Sequence, residues 1–423
     1  MGSANTVYQI VGISAYPDEL RNFIEPLLLG VRQLGHAAAY MSIGLNSVDQ
    51  MVSALRQRRP DFCFLTGRTV SGLVAYQPKA LDALRAEGVP LLYLWYDNPL
   101  RSTRALARAY HDNVLGLTTP DTQTIPHLQA LGVSRVMYSP VIEGDEFRAL
   151  PARNDLACEC SFAGGYMTRE YLERVYIPSI YDFPELSEPH QLNEHIPALP
   201  EYRRLIELFV QTRETTRHYV DAYTFMRAHS AFHPGTVRFD RCSNLLMHYQ
   251  KTLEREHLFD ALAGIPELEL RVYGGADASL DHQRTMGSRW PHVRFYGALD
   301  RNTVFPALFP STNINLGLSQ FARAVHGRYI ENAACGGFML AEYKADVDLE
   351  FDVGKEIVCY RNWDELKDLT IYYRRREAER KAIARQGRDR YLKTQRPKHR
   401  WQALMPAIRT ELARYRDTVG SRA

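Results

Sequence analysis

The sequence predicts an α/β chain of two doubly wound domains facing a cleft, the second carrying a helical insertion, and three observations predict it. Short apolar runs alternate with amphipathic stretches through residues 7–139, the rhythm of a parallel sheet covered by helices on both faces. A second series of apolar runs opens on ECSFAGG and closes on EIVCY, with a long helical interval inside it. The length of 423 residues fits about two to three domains of roughly 150 residues each.

Taken in order, VYQIVGI is the first strand and the amphipathic run Asp18 to Leu34 its helix. AAYMSI, the helix Ser47 to Arg58, DFCFLT and the helix Gln77 to Ala86 follow. VPLLYLWY is apolar throughout, as a central parallel strand must be, and NVLGLTT ends the series. The polar, Pro-flanked stretch that begins at Ser139 reads as the connection between domains. ECSFAGG is a short strand ending in paired glycines. The interval after it is helical in pattern: a Pro-rich piece, Asp182 to Pro200, precedes two long amphipathic stretches, Glu201 to Ala231 and Arg238 to Ala263, separated by His233-Pro234-Gly235. LELRVYGG, HVRFYG, TNINLGLS, a helix from Gly327, GFMLAE and EIVCY complete the second series. Two charged helices, Trp363 to Leu392 and His399 to Arg416, close the chain.

Composition narrows the function. Lys and Arg number 52 against 49 Asp and Glu, so the overall basic excess of a dedicated nucleic-acid binder is absent. No run reaches the ~18 apolar residues of a membrane span, and the first residues show no basic and apolar leader. The six cysteines are scattered, and Cys158 and Cys160 make neither a zinc knuckle nor a redox pair. A reducing, cytoplasmic setting is expected. No G-x-G-x-x-G follows the first strand, and no G-x-x-x-x-G-K-[ST], H-E-x-x-H or G-x-S-x-G occurs, which weakens dehydrogenase, P-loop and hydrolase chemistry. The histidines lack a repeated ligand spacing.

The informative segment is His326 to Glu342, HGRYIENAACGGFMLAE, read as a glycine turn, a short helix, a second glycine turn and a buried strand. Gly327 permits close backbone approach where the helix begins, and free N–H groups with the positive dipole end make a phosphate seat there. Arg328 and Glu331 share a helix face at i, i+3, pairing a guanidinium for phosphate oxygens with a carboxylate that accepts from vicinal hydroxyls. A ribose diphosphate needs both. In SFAGGYMTR, Gly164 and Gly165 stand at the C-terminal end of the second domain's first strand, where backbone approaches a ligand, and Arg169 is a candidate counter-charge. Asp346-Val347-Asp348 has the look of a metal motif but sits in a charged segment, and we read it as a solvated loop.

These residues resemble the spore-maturation CgeB-like glycosyltransferases of the GT-B architecture. Ser161-Phe162-Ala163-Gly164-Gly165-Tyr166 with Arg169 is similar to the family's S-F-x-G-x-x-x-x-R opening of the donor domain, and Trp95-Tyr96-Asp97-Asn98-Pro99 to its W-x-D-x-P segment. Arg328 to Gly337, followed by Phe351, Gly354-Lys355-Glu356-Ile357 and Tyr360, resembles its R-x-F-E-x-x-A-x-G and F-x-x-G-x-E-I-x-x-Y run, with Ile330 in place of Phe. The resemblance implies Rossmann-like domains at 1–150 on the acceptor side and 151–396 on the nucleotide-sugar donor side, the latter with a helical insertion at about 182–263, and a closing helix, 397–423, that returns to the first. It also implies that Glu331 binds the donor ribose, that Arg328 meets the phosphates, and that Ser161, Gly164 and Gly165 form the opposing loop. Eight residues before Glu331 stands Arg323, where the broader two-glutamate glycosyltransferases carry a carboxylate.

The chemistry implied is displacement at the anomeric carbon, with charge developing on the leaving diphosphate. Arg328, Arg169, Arg323 and His326 are the candidates to stabilise it, with neither cofactor nor metal expected beyond the nucleoside diphosphate sugar. Activating the acceptor hydroxyl requires a base, for which Asp97, directly after VPLLYLWY, is best placed and Asp18 second; a helix cap is the alternative use of either. The leading function is a hexosyl- or pentosyltransferase acting on a polysaccharide, a protein or a modified nucleic-acid base. Its rivals are a nucleotide-sugar epimerase and a two-domain protein that binds a nucleotide sugar without transfer.

Overall fold

The computed structural model describes residues 7–16, 20–43, 47–144, 147–172, 199–216, 218–274 and 287–420. Asp18 and most of the Pro-rich piece, 182–198, lie outside them. The chain forms two compact units: residues 1–145 with 234–240 and 394–423, and residues 146–233 with 241–393.

The first unit is a parallel sheet in the order β2-β1-β3-β4-β5-β6, made of β1 (Gln9–Ser14), β2 (Ala37–Ser42), β3 (Phe62–Thr66), β4 (Leu91–Leu94), β5 (Val114–Thr119) and β6 (Val136–Tyr138). β3, β4 and β5 are buried along their whole length, which is why they read as unbroken apolar runs rather than alternating ones. The helices between them are α1 (Glu25–Gln33), α2 (Val48–Arg58), α3 (Gly67–Tyr76), α4 (Pro78–Ala86), α5 (Thr103–Ala109) and α6 (Thr124–Ala130). Local chemistry sets their starts. Ser47 caps α2 through a capping box with Gln50, Thr66 accepts from Thr69 N–H to start α3, and Pro78 opens α4. α3, α5, α6 and β6 are additions to the expected elements; β6 is a half-buried three-residue edge strand with too little apolar sequence to stand out.

In the second unit the order is β12-β11-β10-β7-β8-β9, again all parallel. Its strands are β7 (Cys158–Ala163), β8 (Leu270–Tyr273), β9 (Val293–Tyr296), β10 (Thr312–Gly317), β11 (Met339–Glu342) and β12 (Val358–Tyr360). Among the described residues of the expected helical interval stand α7 (Leu199–Thr216), α8 (Ala222–His229) and α9 (Val237–Leu262). The stretch expected as one helix from Glu201 to Ala231 is two, because Asp221 accepts from Thr224 N–H at 2.8 Å and starts a new one. Then come α10 (Phe305–Ser311), α11 (Gly327–Cys335), α12 (Trp363–Arg374) and α13 (Glu377–Arg390). The expected helix from Trp363 to Leu392 likewise breaks, at Arg375-Arg376, where the buried Arg380 guanidinium donates to the carbonyls of Tyr373 and Arg374 and satisfies the end of α12.

The last helix, α14 (Pro397–Gly420), belongs to the first unit and packs on α1 and β5. Trp401 is fully buried against Phe62 and Phe64, and its indole N–H donates to the Leu27 carbonyl at 3.0 Å. Residues 234–240 also belong to this unit: Asp240 caps α5, accepting from Thr103 N at 3.0 Å and Arg104 N at 2.9 Å. Among the described residues no helix is long and apolar enough to cross a membrane, and the six cysteines are free.

Candidate functional site

The second sheet has one position where successive connections leave in opposite directions. From β7 the chain adds β8 and β9 on one side, then crosses to add β10, β11 and β12 on the other, so β7 and β10 are neighbours at a topological switch point. In such a sheet the crevice outside the strand C-termini is where ligands sit. A cavity of about 210 Å³ opens there. Its walls are Phe162 to Gly165 after β7, Leu316 to Leu318 and Gln320 after β10, Lys251, Glu254 and Arg255 from α9, and His326 and Arg328 at the start of α11.

The loop after β7 is held close. Gly164 N–H donates to the Tyr273 carbonyl at 2.8 Å, and a Cβ on Gly274, whose φ is +140°, would stand 2.7 Å from the Gly165 nitrogen. Only glycine fits there. On the facing side, α11 begins at Gly327 and is capped after Cys335 by Gly336, which takes the left-handed φ of +77°. His326 caps it, its Nδ1 accepting from Arg328 N–H at 3.1 Å, so the proton of the neutral ring sits on Nε2. Burial, with Arg328, Lys251 and Arg255 nearby, pulls the His326 pKa down to about 3. The site therefore keeps a neutral imidazole beside its cations.

Glu331 is almost wholly buried, with Arg301 Nη1 donating to Oε1 at 2.8 Å and Arg328 Nη1 donating to Oε2. Burial alone would raise this carboxyl; the two guanidiniums outweigh it and hold it below the ordinary range. Arg328 also lies over the Phe305 ring at 4.6 Å, with Nε 3.4 Å from the Ala163 carbonyl, so it spans α11 and the β7 loop.

Gly164, Gly165, His326 and Arg328 thus line one cavity, with Glu331 directly behind Arg328. Other candidates stand elsewhere. The Ser161 hydroxyl is buried and donates to Asn315 Oδ1 at 3.0 Å, fixing β7 to β10. Arg169 is committed to Glu256 at 2.9 Å and Glu214 at 2.9 Å. Arg323 pairs with Asp346 at 3.4 Å. Asp346 is buried at the start of a helical turn, Val347–Glu350, so the solvated loop expected for Asp346-Val347-Asp348 holds for the exposed Asp348 alone. In the first unit, Asp97 follows β4, accepts from Asn98 N–H at 2.8 Å and pairs with Arg101; the capping role falls to Asn98, which accepts from Leu100 N–H.

Sequence reasoning passed over Lys251, Glu254 and Arg255. They fall at i, i+3 and i+4 on α9, so they share a face. Arg255 makes no hydrogen bond or ion pair among the described residues; its guanidinium stands 5.7 Å from the Phe162 ring, and burial brings its pKa down to about 10, leaving it charged at neutral pH. Three cations, a neutral imidazole and a helix start around one small cavity suit an anion carrying more than one charge. No three His, Cys, Asp or Glu side chains among the described residues gather as metal ligands.

Residues 252–406 match the model of the glycosyl transferase-like family. Among solved structures, the chain is similar to Anabaena HepE in complex with UDP-glucose at 10% identity, with a TM-score of 0.52 over 98% of this chain and 100% of that one. It is also similar to the sucrose-phosphate synthase of Thermosynechococcus elongatus (10% identity, TM-score 0.54, 97% and 99% covered). A glycosyltransferase of Rickettsia africae aligns at 10% identity and a TM-score of 0.55, with 96% and 99% covered. The fold is GT-B. No curated protein matches the chain in sequence.

Proposed function

We propose that this chain is a glycosyltransferase of the CgeB-like kind that seats a nucleoside diphosphate sugar in the cavity at the β7/β10 switch point and moves the sugar to an acceptor hydroxyl. The observation that carries the proposal is the cationic lining of that cavity: Arg255, with no hydrogen bond or ion pair among the described residues, Arg328, Lys251 and the start of α11, gathered where a doubly wound sheet offers its backbone to phosphates. The family match over 252–406 and the UDP-glucose bound to the HepE relative support it.

In this reading Arg255, Arg328 and Lys251 face the diphosphate and stabilise the charge that grows on it as the glycosidic bond breaks. Gly164 and Gly165 let the backbone approach, and His326 contributes a neutral N–H. Glu331 accepts from the ribose hydroxyls with lone pairs left over by Arg301 and Arg328. Asp97 is the proposed base for the acceptor; Arg169 and Arg323 act through the carboxylates they hold. The acceptor is a polysaccharide, a protein or a modified nucleic-acid base, and the six free cysteines fit a cytoplasmic enzyme.

Thermal unfolding against UDP, GDP and dTDP tests the donor site, with Arg255→Ala in parallel. A diphosphate at 100 times its dissociation constant stabilises by about 2.7 kcal/mol. One nucleotide is expected to shift the wild type and to lose most of that shift in the variant; equal shifts in both, or none in the wild type, overturn the assignment. Release of the same nucleotide from its sugar ester in the presence of acceptor separates transfer from binding alone.

A further inference from the structure

The cavity holds one group that does not suit a phosphate. Glu254 lies between Lys251 and Arg255 on the inward face of α9 and is almost fully buried. A carboxylate among cations repels a diphosphate, so its place there has to be explained by something else in the ligand.

Its surroundings show that it is held on purpose of geometry rather than left by chance. Oε1 accepts from Gln250 Nε2, one turn back on α9, and lies 3.7 Å from Nη2 of Arg213. Arg213 comes from α7 and is 1% exposed, yet its Nε and Nη1 have no hydrogen-bond partner among the described residues. A guanidinium buried with donors unspent is rare in a finished core and points to a polar species in the space beside it. Close by, Glu342 takes Lys344 Nζ at 2.8 Å and Ser319 N–H at 3.2 Å. The helical insertion touches the cavity wall a second time: the Tyr219 hydroxyl donates to the carbonyl of the lining residue Gln320 at 3.1 Å, and the Lys344 ammonium sits 4.5 Å from the Tyr219 ring.

A ligand that gains from a carboxylate next to phosphate-binding cations carries hydroxyls next to its phosphates. We propose that Glu254, oriented by Arg213, accepts hydrogen bonds from hydroxyls of the transferred sugar and sets which sugar is used. The assignment rests on the donor site proposed above. Burial, and then the neighbouring Glu342, raise the Glu254 pKa against the pull of Lys344, Arg213 and Gln250. The loop after β7, α11, and Lys251 and Arg255 of α9 serve the phosphates; Glu254 of α9 and Arg213 of α7 serve the sugar.

The experiment compares wild type and Glu254→Gln by calorimetry with UDP, GDP and dTDP, each paired with its glucose ester, and with UDP-galactose as an epimer. Expected for the variant is affinity for the nucleoside diphosphate equal to or above that of the wild type, with at least a tenfold loss for the ester and a loss of preference between epimers. Equal affinity of wild type and variant for the ester overturns the role of Glu254 while leaving the donor site standing. Equal loss for diphosphate and ester also overturns it, since a general structural defect has that signature. If no diphosphate or ester binds the wild type, the donor site fails and this assignment with it. Arg213→Lys, which keeps the charge and loosens the carboxylate, is the second variant should Glu254→Gln not fold; it is expected to weaken the ester and spare the diphosphate.

Discussion

Arg301 and Arg328 each hold one oxygen of Glu331, Arg301 from the loop after β9 and Arg328 from the first turn of α11. Replacing Glu331 with Ala leaves two partly buried guanidiniums without their shared counter-charge. We expect a loss of about 3 kcal/mol or more in urea unfolding, because removing one partner of a buried pair strands the rest. Since the carboxyl is held below its ordinary value, its contribution is fully present above the unfolded value of about 4.3 and is lost as pH falls through the lower folded value. A Glu331→Ala variant as stable as wild type at pH 7 would contradict this.

His326 is expected to stay neutral across the working range of the protein. With its pKa drawn down to about 3, the folded state binds fewer protons than the unfolded one between there and about 6.5, so this residue makes stability rise with pH through that window. Proton NMR of the His326 ring checks it: the Cε1–H shift should remain that of neutral imidazole from pH 8 down to pH 4. A midpoint near 6.5 would show that the ring is neither buried nor surrounded by cations in solution.

Trp401 closes the core of the first unit from the far end of the chain. Trp401→Ala removes the fully buried indole and its hydrogen bond to Leu27, and should cost about 3–5 kcal/mol. Trp401→Phe should cost less, because the ring contact with Phe64 survives. Denaturant midpoints for the first unit, followed separately from those of the second, read the difference.

Asp240 caps α5 through two backbone N–H groups, with the Thr103 hydroxyl donating to the same carboxylate at 2.5 Å. Asp240→Ala is expected to lower stability by about 1–2 kcal/mol. Amide exchange at Thr103 and Arg104 should quicken more than elsewhere in the unit; unchanged protection at those two amides would mean the cap is dispensable.

Most of the fold could be read from the chain because a parallel strand buried on both faces is apolar without alternation, as in β3, β4 and β5. β6 escaped because an edge strand of three half-buried residues carries little apolar signal. α8 merged with α7 because periodicity alone does not register a cap such as Asp221. For the site, Gly164, Gly165, His326 and Arg328 were legible from glycine chemistry at strand ends and a helix start. Lys251, Glu254 and Arg255 were not: on a long helix, charges at i, i+3 and i+4 mark a polar face, and nothing local tells whether that face looks at water or into a cavity. Arg323 and Arg169 carry the right charge, yet Asp346 and Glu256, remote in sequence, claim them.

The first unit is stitched from three stretches of chain, the last of them residues 394–423. A polypeptide emerges from the ribosome N-terminus first and its domains fold as units as they appear. Residues 7–144 therefore leave the ribosome with the bed of Trp401 open, and they wait while the whole second unit is made. The half that is synthesised first is the half completed last. A stop codon anywhere before Trp401 would leave an exposed apolar face on the earliest part of the molecule, so such truncated chains should be cleared by cellular proteolysis rather than persist as a shortened protein.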